Sequence, residues 1–121
     1  MTQRIVIHLT HAVDNLTAAA MALRIGAGLL SKGAQVTLLL DLEGARLADT
    51  RQPLDLSTRR GRLLGDMYDE FVQAGGGFLI CPHCAGAIGM THDTLRPAAA
   101  IAADDDALAQ LIFDADKVLD Y

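Results

Sequence analysis

Five short apolar segments recur along the chain and predict β-strands. The first three are continuously apolar and rich in branched or aromatic residues, which is typical of strands buried on both faces. The segments are 4–10 (RIVIHLT), 35–40 (QVTLLL), 78–81 (FLIC), 98–102 (AAAIA) and 117–121 (KVLDY). Continuously apolar strands favour a parallel sheet.

Between these strands, apolar residues recur at helical spacing and predict four helices. Asp14 is a suitable N-cap for the first helix, and Gly33 is a natural stop at its end. Asp104 begins an acidic first turn in the fourth helix. The predicted helices cover about 14–32, 58–74, 82–90 and 104–115, and the connection at 41–57 is expected to hold a helical turn around 45–48.

The alternation of strand and helix predicts an α/β fold, with a parallel sheet and helices on both of its faces. A length of 121 residues fits one core, and the chain shows no repeat, low-complexity tract or linker. We therefore expect a single domain over residues 1–121. Right-handed crossovers place the carboxyl end of every parallel strand at one edge of the sheet, where ligand sites in such folds collect.

The composition is unusually apolar for a small domain. Hydrophobic residues make up 51% of the chain, charged residues 21%, and the mean hydropathy is +0.27. Such an excess predicts that both sheet faces are covered or that apolar surface is buried between subunits. The net charge of −5 argues against a nucleic-acid-binding surface. Arg59, Arg60 and Arg62 do cluster, and we interpret them as the solvated start of the second helix.

The N-terminal residues show no targeting segment. They lead directly into an apolar strand, without a basic region, a long apolar stretch and a small-residue cleavage site. No apolar run approaches the ~20 residues that a membrane span needs. Two cysteines cannot form the disulfide framework of a small secreted domain. The sequence therefore predicts a cytoplasmic protein.

Chemically useful side chains follow three of the predicted strands. His11 follows the first strand, Asp41 and Glu43 follow the second, and Cys81 ends the third. We expect them to share the carboxyl edge of the sheet, with the two acids serving mainly as turn and capping residues. Cys81 should also begin a helix, whose free N–H groups favour a thiolate, the reactive form of cysteine. Cys84 follows in a C-P-H-C motif.

Three other interpretations of Cys81 and Cys84 remain open. They could fill the core, as free cysteines often do. They could bind zinc, although a structural site needs about four ligands and the histidines form no second pair at a familiar spacing; His8 in particular is expected to point into the sheet. They could form a redox dithiol, although the thioredoxin fold carries its motif after its first core strand and not this late in the chain.

The chain resembles the DsrE/DsrF-like (sulfur relay, TusD-like) family of small α/β proteins. The resemblance spans essentially the whole chain and rests on four segments. These are RIVIHLTHAVDN before an Ala-rich helix, SKGAQVTLLLDLEGARLA, GGGFLICPHCAGAIGM, and LAQLIFDADKVLDY. It implies a Rossmann-like (flavodoxin-like) three-layer α/β/α fold with a mostly parallel five-stranded sheet, assembled as a homotrimer or hexamer. It also implies one persulfide-accepting cysteine, which maps onto Cys81, eight residues before Gly89.

The leading functional hypothesis is an intracellular, sulfurtransferase-like persulfide carrier. Cys81 would accept sulfur and pass it to a partner protein's thiol, Cys84 would act as a resolving thiol, and His11, with His83, would stabilise the thiolate or donate a proton. A dithiol redox protein that reduces peroxides or disulfides is the first alternative. A non-enzymatic oligomeric ligand-binding module is the second. No dinucleotide, phosphate-loop or metal-pair signature is present, so we expect no obligatory cofactor or metal, and no nucleic-acid or membrane partner.

Overall fold

The structure is a computed structural model that describes residues 2–121. Within this range the chain forms five strands and four α-helices, with short 3₁₀ helices at Val13–Asn15, Leu42–Ala48 and His92–Thr94. The strands are β1 (Arg4–Leu9), β2 (Gln35–Leu40), β3 (Gly77–Ile80), β4 (Ala99–Ile101) and β5 (Lys117–Asp120). The helices are α1 (Leu16–Ser31), α2 (Leu64–Gln73), α3 (Pro82–Ala87) and α4 (Asp105–Phe113).

All five strands join one sheet in the order β4-β3-β2-β1-β5, and every neighbouring pair is parallel. The predicted α/β fold is thus confirmed, and the sheet is parallel throughout. From β1 to β4 each strand is added on the same side, so right-handed crossovers place α1, α2 and α3 on one face. The chain then returns across the sheet to β5, which places α4 on the opposite face and makes three layers.

The main core lies between the sheet and the helices α1 and α2. Ile7, Leu38 and Ile80 from the three central strands are fully buried there. Phe78 stacks on Tyr68 of α2 with ring centroids 4.5 Å apart. This continuous apolar packing fixes the central strands, and so fixes the positions at which their carboxyl ends emerge.

The second helix begins six residues later than predicted. Residues 58–63 form a small hairpin instead, in which Thr58 N–H donates to the carbonyl of Arg62 at 2.8 Å. Gly61 makes its turn possible, with a φ of 77° that glycine adopts without strain. The arginines 59, 60 and 62 therefore lie in a loop before α2, and the interpretation of these residues as a helix start was wrong.

Two other helix ends also differ from prediction. The N-cap of α1 is Asn15, whose side chain accepts the N–H of Ala18, because Asp14 is already engaged in the preceding 3₁₀ turn. Helix α3 ends at Ala87, three residues before the predicted end, since Gly89 takes a positive φ of 71°. Asp104 does cap α4, as predicted, by accepting the N–H of Ala107.

The α4–β5 side of the molecule is much less buried than the α1–α2 side. Every residue of α4 keeps part of its surface exposed, and the side chain of Phe113 is among the most exposed large apolar groups at 84%. Val118 in the edge strand β5 is also exposed. The apolar excess of the composition is therefore partly at the surface, on this side.

One stretch is long and apolar enough to cross a membrane by length and composition, contrary to the expectation from the sequence. It runs from Val13 to Ser31 with a mean hydropathy of 1.2. Several alanines contribute to that value without forming a bulky apolar run. The inner face of this stretch packs on the core through Ala19, Ala22 and Leu23, while most of its residues keep part of their surface exposed.

Candidate functional site

The carboxyl ends of β1, β2 and β3 bring His8, Asp41 and Cys81 to one edge of the sheet. The backbone N–H of Asp41 donates to the carbonyl of Leu9 at 3.1 Å, and the N–H of Cys81 donates to the carbonyl of Leu40 at 3.0 Å. These bonds continue the parallel ladders one residue past the strands. They hold Asp41 and Cys81 side by side on rigid elements, although 40 positions separate them in sequence.

Helix α3 brings the second cysteine to the same place. Cys81 is the N-cap of α3, Pro82 is at its start, and the carbonyl of Cys81 accepts the N–H of Ala85 at 3.0 Å. One helical turn then places Cys84 on the same side as Cys81. Both cysteines are free thiols, and their Sγ atoms and a carboxylate oxygen of Asp41 all lie within 4.8 Å of one another.

The two cysteines have different environments. Cys81 is buried, with 8% of its surface exposed, whereas Cys84 is half-buried. The thiol of Cys84 donates a hydrogen bond to Oδ1 of Asp41 at 3.0 Å. Burial and this bond to a carboxylate raise the pKa of Cys84 to about 12. Cys84 is therefore a neutral thiol at physiological pH.

The segment after β2 completes the surroundings of Cys84. The N–H of Leu42 lies 3.1 Å from Sγ of Cys84 and 2.9 Å from Oδ1 of Asp41, so it donates to both. Leu42 has a φ of 50°, in the left-handed region that non-glycine residues rarely adopt. Such conformations cluster at functional sites, and this one occurs at the residue whose N–H donates to the sulfur.

His8 links Asp41 to the last strand. Its Nε2 lies 3.2 Å from Oδ2 of Asp41, and its Nδ1 lies 3.0 Å from Oδ1 of Asp120, which is opposite His8 in the β1–β5 register. The ring therefore lies along the carboxyl edge, and the expectation that it points into the sheet was wrong. Partial burial would raise the pKa of Asp41, but hydrogen bonds from Cys84, Leu42 and His8 outweigh it and hold that pKa below its usual value.

His11, Glu43 and His83 have other partners. His11 places Nδ1 2.8 Å from a carboxylate oxygen of Asp14, which holds the ring in the turn after β1. Glu43 pairs with Arg46 in the 3₁₀ segment. His83 lies 3.3 Å from Asp105 at the start of α4, and both side chains are largely exposed. The roles of His11 and His83 at the cysteines stay predictions.

Sequence reasoning missed the contribution of three side chains to this site. His8 was assigned to the sheet, Asp41 was interpreted as a turn residue, and Asp120 was not considered. Asp41 does cap its turn, but it also accepts hydrogen bonds from Cys84 and His8. The position of β5 beside β1 brings Asp120 next to His8, and the local sequence pattern does not predict this strand order. The sequence signal for this site is His8, a polar residue that interrupts the apolar run of β1.

The chain is similar along its whole length to two solved structures. The crystal structure of YchN from E. coli aligns with a TM-score of 0.78 at 16% identity and covers 100% of both chains. MTH1491 from Methanobacterium thermoautotrophicum, described as a protein of unknown function, aligns with a TM-score of 0.72 at 14% identity, over 98% of this chain and 99% of the other. The fold is DsrE-like. At these identities the similarity shows the fold alone.

No family model matches the chain, and no curated protein matches it. The DsrE-like fold agrees with the resemblance drawn from the sequence motifs. In such a parallel sheet the carboxyl edge is the expected place for chemistry, and the pair of cysteines lies there.

Proposed function

We propose that the protein is a sulfur carrier that accepts a persulfide sulfur on Cys81 and passes it to a thiol of a partner protein. The observation that carries this proposal is the asymmetry of the two cysteines. Cys84 donates its proton in a hydrogen bond to Asp41, so it is held as a neutral thiol. The first nucleophilic attack therefore falls to Cys81, at the start of α3, where free backbone N–H groups favour negative charge.

The transfer is a pair of thiol exchange steps. The Cys81 thiolate attacks the outer sulfur of a donor persulfide, its S–S bond breaks, and the donor leaves as a thiolate. Cys81 then carries the extra sulfur as Cys81–S–SH. A thiolate of the acceptor protein attacks that outer sulfur, and the Cys81 thiolate leaves. Neither step needs an external oxidant or reductant, because the sulfur moves without a net change in electron count.

Cys84 limits how long the persulfide lasts. If Cys84 loses its proton to solvent, the Cys84 thiolate can attack the inner sulfur of Cys81–S–SH. A Cys81–Cys84 disulfide then forms and hydrosulfide leaves. The hydrogen bond from Cys84 to Asp41 opposes this step by keeping Cys84 protonated. The carrier role is thereby favoured, and sulfide release is a slow second outcome.

The low exposure of Cys81 also bears on the partners. A sulfur atom in a residue that is 8% exposed admits a small sulfur species or the tip of an extended peptide, but not a broad protein surface. We infer that donor and acceptor present their thiols on projecting segments. Two free cysteines held this close also suit a reducing compartment, and we propose that the protein acts in the cytoplasm.

A dithiol redox function is the second candidate, and one observation favours it. The two Sγ atoms lie within 4.8 Å of each other, and a C-x-x-C pair at a helix start forms a disulfide with little movement. In this reaction the pair loses two electrons and two protons to a peroxide or a disulfide substrate. The proton that Cys84 shares with Asp41 in a hydrogen bond leaves to solvent as the disulfide forms.

Intact-mass spectrometry after brief exposure of the reduced protein to polysulfide distinguishes these functions. For a carrier we expect a gain of one sulfur atom in the wild type and in Cys84→Ser, and none in Cys81→Ser. The gain should last longer in Cys84→Ser, since no resolving thiol remains. A loss of two hydrogens that requires both cysteines, with no sulfur retained in Cys84→Ser, would instead establish the dithiol function.

A further inference from the structure

Two sulfurs and a carboxylate oxygen converge at the carboxyl edge in a way that suits a metal ion. The Sγ atoms of Cys81 and Cys84 and an oxygen of Asp41 lie within 4.8 Å of one another. Tetrahedral zinc bonds of ~2.3 Å place two sulfurs ~3.8 Å apart, so the two sulfurs need to close by about 1 Å at most. Sγ of Cys84 and Oδ1 of Asp41, now 3.0 Å apart, need to separate slightly. We propose that Asp41, Cys81 and Cys84 form a reversible Zn²⁺ site, with water as the fourth ligand.

The chemistry of the donors selects zinc over harder ions. Calcium and magnesium prefer oxygen ligands alone, whereas zinc accepts cysteine sulfur together with carboxylate oxygen. Binding replaces the hydrogen bond from Cys84 to Asp41 by two bonds to the metal. The thiol protons of the two cysteines pass to solvent, the sulfurs bind as thiolates, and no electron is transferred.

The groups behind these donors already hold them in place. His8 makes a hydrogen-bonded contact with Oδ2 of Asp41, which leaves Oδ1 to face the sulfurs. The N–H of Leu42 donates to Sγ of Cys84 and would stabilise its thiolate. Outer hydrogen bonds to ligating carboxylates and sulfurs are a regular part of metal sites, and they orient the ligands before the ion arrives.

Zinc was disfavoured in the sequence because only cysteines and histidines were counted as ligands. The third donor is a carboxylate on a different strand, 40 residues before Cys81, and the parallel pairing of β2 with β3 brings it there. With three protein ligands, the site is of the open type, which keeps its fourth position for water or a substrate, and it is not a closed structural site.

Zinc bound at this site would inhibit sulfur transfer, an inference that rests on the proposed function. A Cys81 sulfur bonded to Zn²⁺ shares a lone pair with the metal and attacks a persulfide more slowly than the free thiolate, so zinc and sulfur compete for the same atom. Free zinc would inhibit the carrier reversibly, and its removal would restore it. The metal site itself does not depend on the carrier function.

The test measures Zn²⁺ affinity of the reduced full chain by competition with a chromophoric zinc chelator. We expect one Zn²⁺ per chain in the wild type. Affinity should fall by about 100-fold or more in Cys81→Ser, Cys84→Ser and Asp41→Asn. Loss of a residue that only hydrogen-bonds a metal ligand already lowers affinity by about 10–100-fold, and loss of a ligand should cost at least as much. Glu43→Gln is the matched control, an exposed acid of the same segment that pairs with Arg46, and it should bind like the wild type.

Two results would overturn the site: no stoichiometric binding by the wild type, or an Asp41→Asn variant that binds as tightly as the wild type. The second result would mean that the two thiols alone capture the metal. Thermal unfolding of each variant verifies that it is folded.

In a separate experiment, polysulfide is added to the protein with zinc or with excess chelator. Faster sulfur uptake with chelator than with zinc supports the competition, equal uptake in both conditions overturns it, and uptake in neither rejects the carrier function while leaving the metal result intact.

Discussion

The thiol of Cys84 donates a hydrogen bond to Asp41 across 43 positions of sequence, with 3.0 Å between Sγ and Oδ1. This contact makes the two cysteines of one short motif chemically different. Cys84 is held as a thiol, and the proposed function assigns the first reaction to Cys81 at the helix start. The sulfur chemistry proposed for the protein depends on this difference.

Replacing Asp41 should make Cys84 more reactive. In Asp41→Asn the negative charge is lost, so the pKa of Cys84 falls from about 12 toward that of an ordinary thiol. Each unit of decrease raises the thiolate fraction at pH 8 about ten-fold. The rate of Cys84 alkylation by iodoacetamide, followed by mass spectrometry in a Cys81→Ser background, measures this change. Glu43→Gln in the same background should leave the rate unaltered, and an equal rate in Asp41→Asn would contradict the assigned hydrogen bond.

Asp49 should contribute stability that disappears in acid. The hydrogen bond from Arg51 holds the pKa of this buried carboxyl below its usual value. A lowered pKa means that the contribution is complete above the unfolded-state pKa and is lost as the pH falls through the folded-state pKa. Asp49→Asn should therefore cost about 1.5–3 kcal/mol at pH 7 and less at pH 3, where the loss of this contribution has begun.

Urea unfolding at the two pH values measures the free energies for Asp49→Asn. Asp55→Asn is the control, because Asp55 is exposed and should change stability by less than about 0.5 kcal/mol at either pH. The assignment would be refuted by a cost for Asp49→Asn that does not decrease in acid.

Gly44 should be required for the close approach of the 3₁₀ segment to β1. A Cβ atom at this position would lie 2.1 Å from the carbonyl oxygen of Leu9, and backbone cannot yield as a flexible side chain can. Gly44→Ala should destabilise the fold by about 1–3 kcal/mol, and it should also disturb Asp41, which hydrogen-bonds the same carbonyl.

The control for Gly44 is Gly28→Ala on the exposed side of α1, where a Cβ would meet nothing within 4 Å. Alanine favours helix over glycine, so this variant should be stabilised by up to about 1 kcal/mol. Equal melting temperatures for the two alanine variants would show that the segment can move away from β1 without cost.

Assembly into a homotrimer or hexamer is expected from the resemblance and from the exposed apolar surface of α4. Phe113 is 84% exposed, and the nearby Ile112 is also exposed. Sedimentation should give a wild-type mass of three or six chains, and Phe113→Glu should reduce it. Gln73→Glu, an exposed change on α2 across the sheet, should not. A wild-type mass of one chain would refute the predicted homotrimer or hexamer.

The fold class and the position of the two cysteines follow from the local pattern of side chains along the chain. Continuously apolar segments alternated with amphipathic ones, which is enough for a parallel α/β sheet, because each strand must be covered on both faces. The same pattern put Cys81 at a strand end, where a helix begins. These features are local, since they depend on residues within one or two elements, and the pattern of neighbouring side chains records them.

Tertiary structure alone decided which side chains meet Cys81 and Cys84. Asp41 and His8 come from different strands, and Asp120 reaches His8 because β5 returns across the sheet to pair with β1. No local pattern specifies that return. The start of α2 was misplaced for a related reason, because the apolar stripe was extended across a hairpin that Gly61 and a cross-strand bond stabilise. Contacts between distant segments depend on strand order and crossover direction, and these emerge only when the whole core packs.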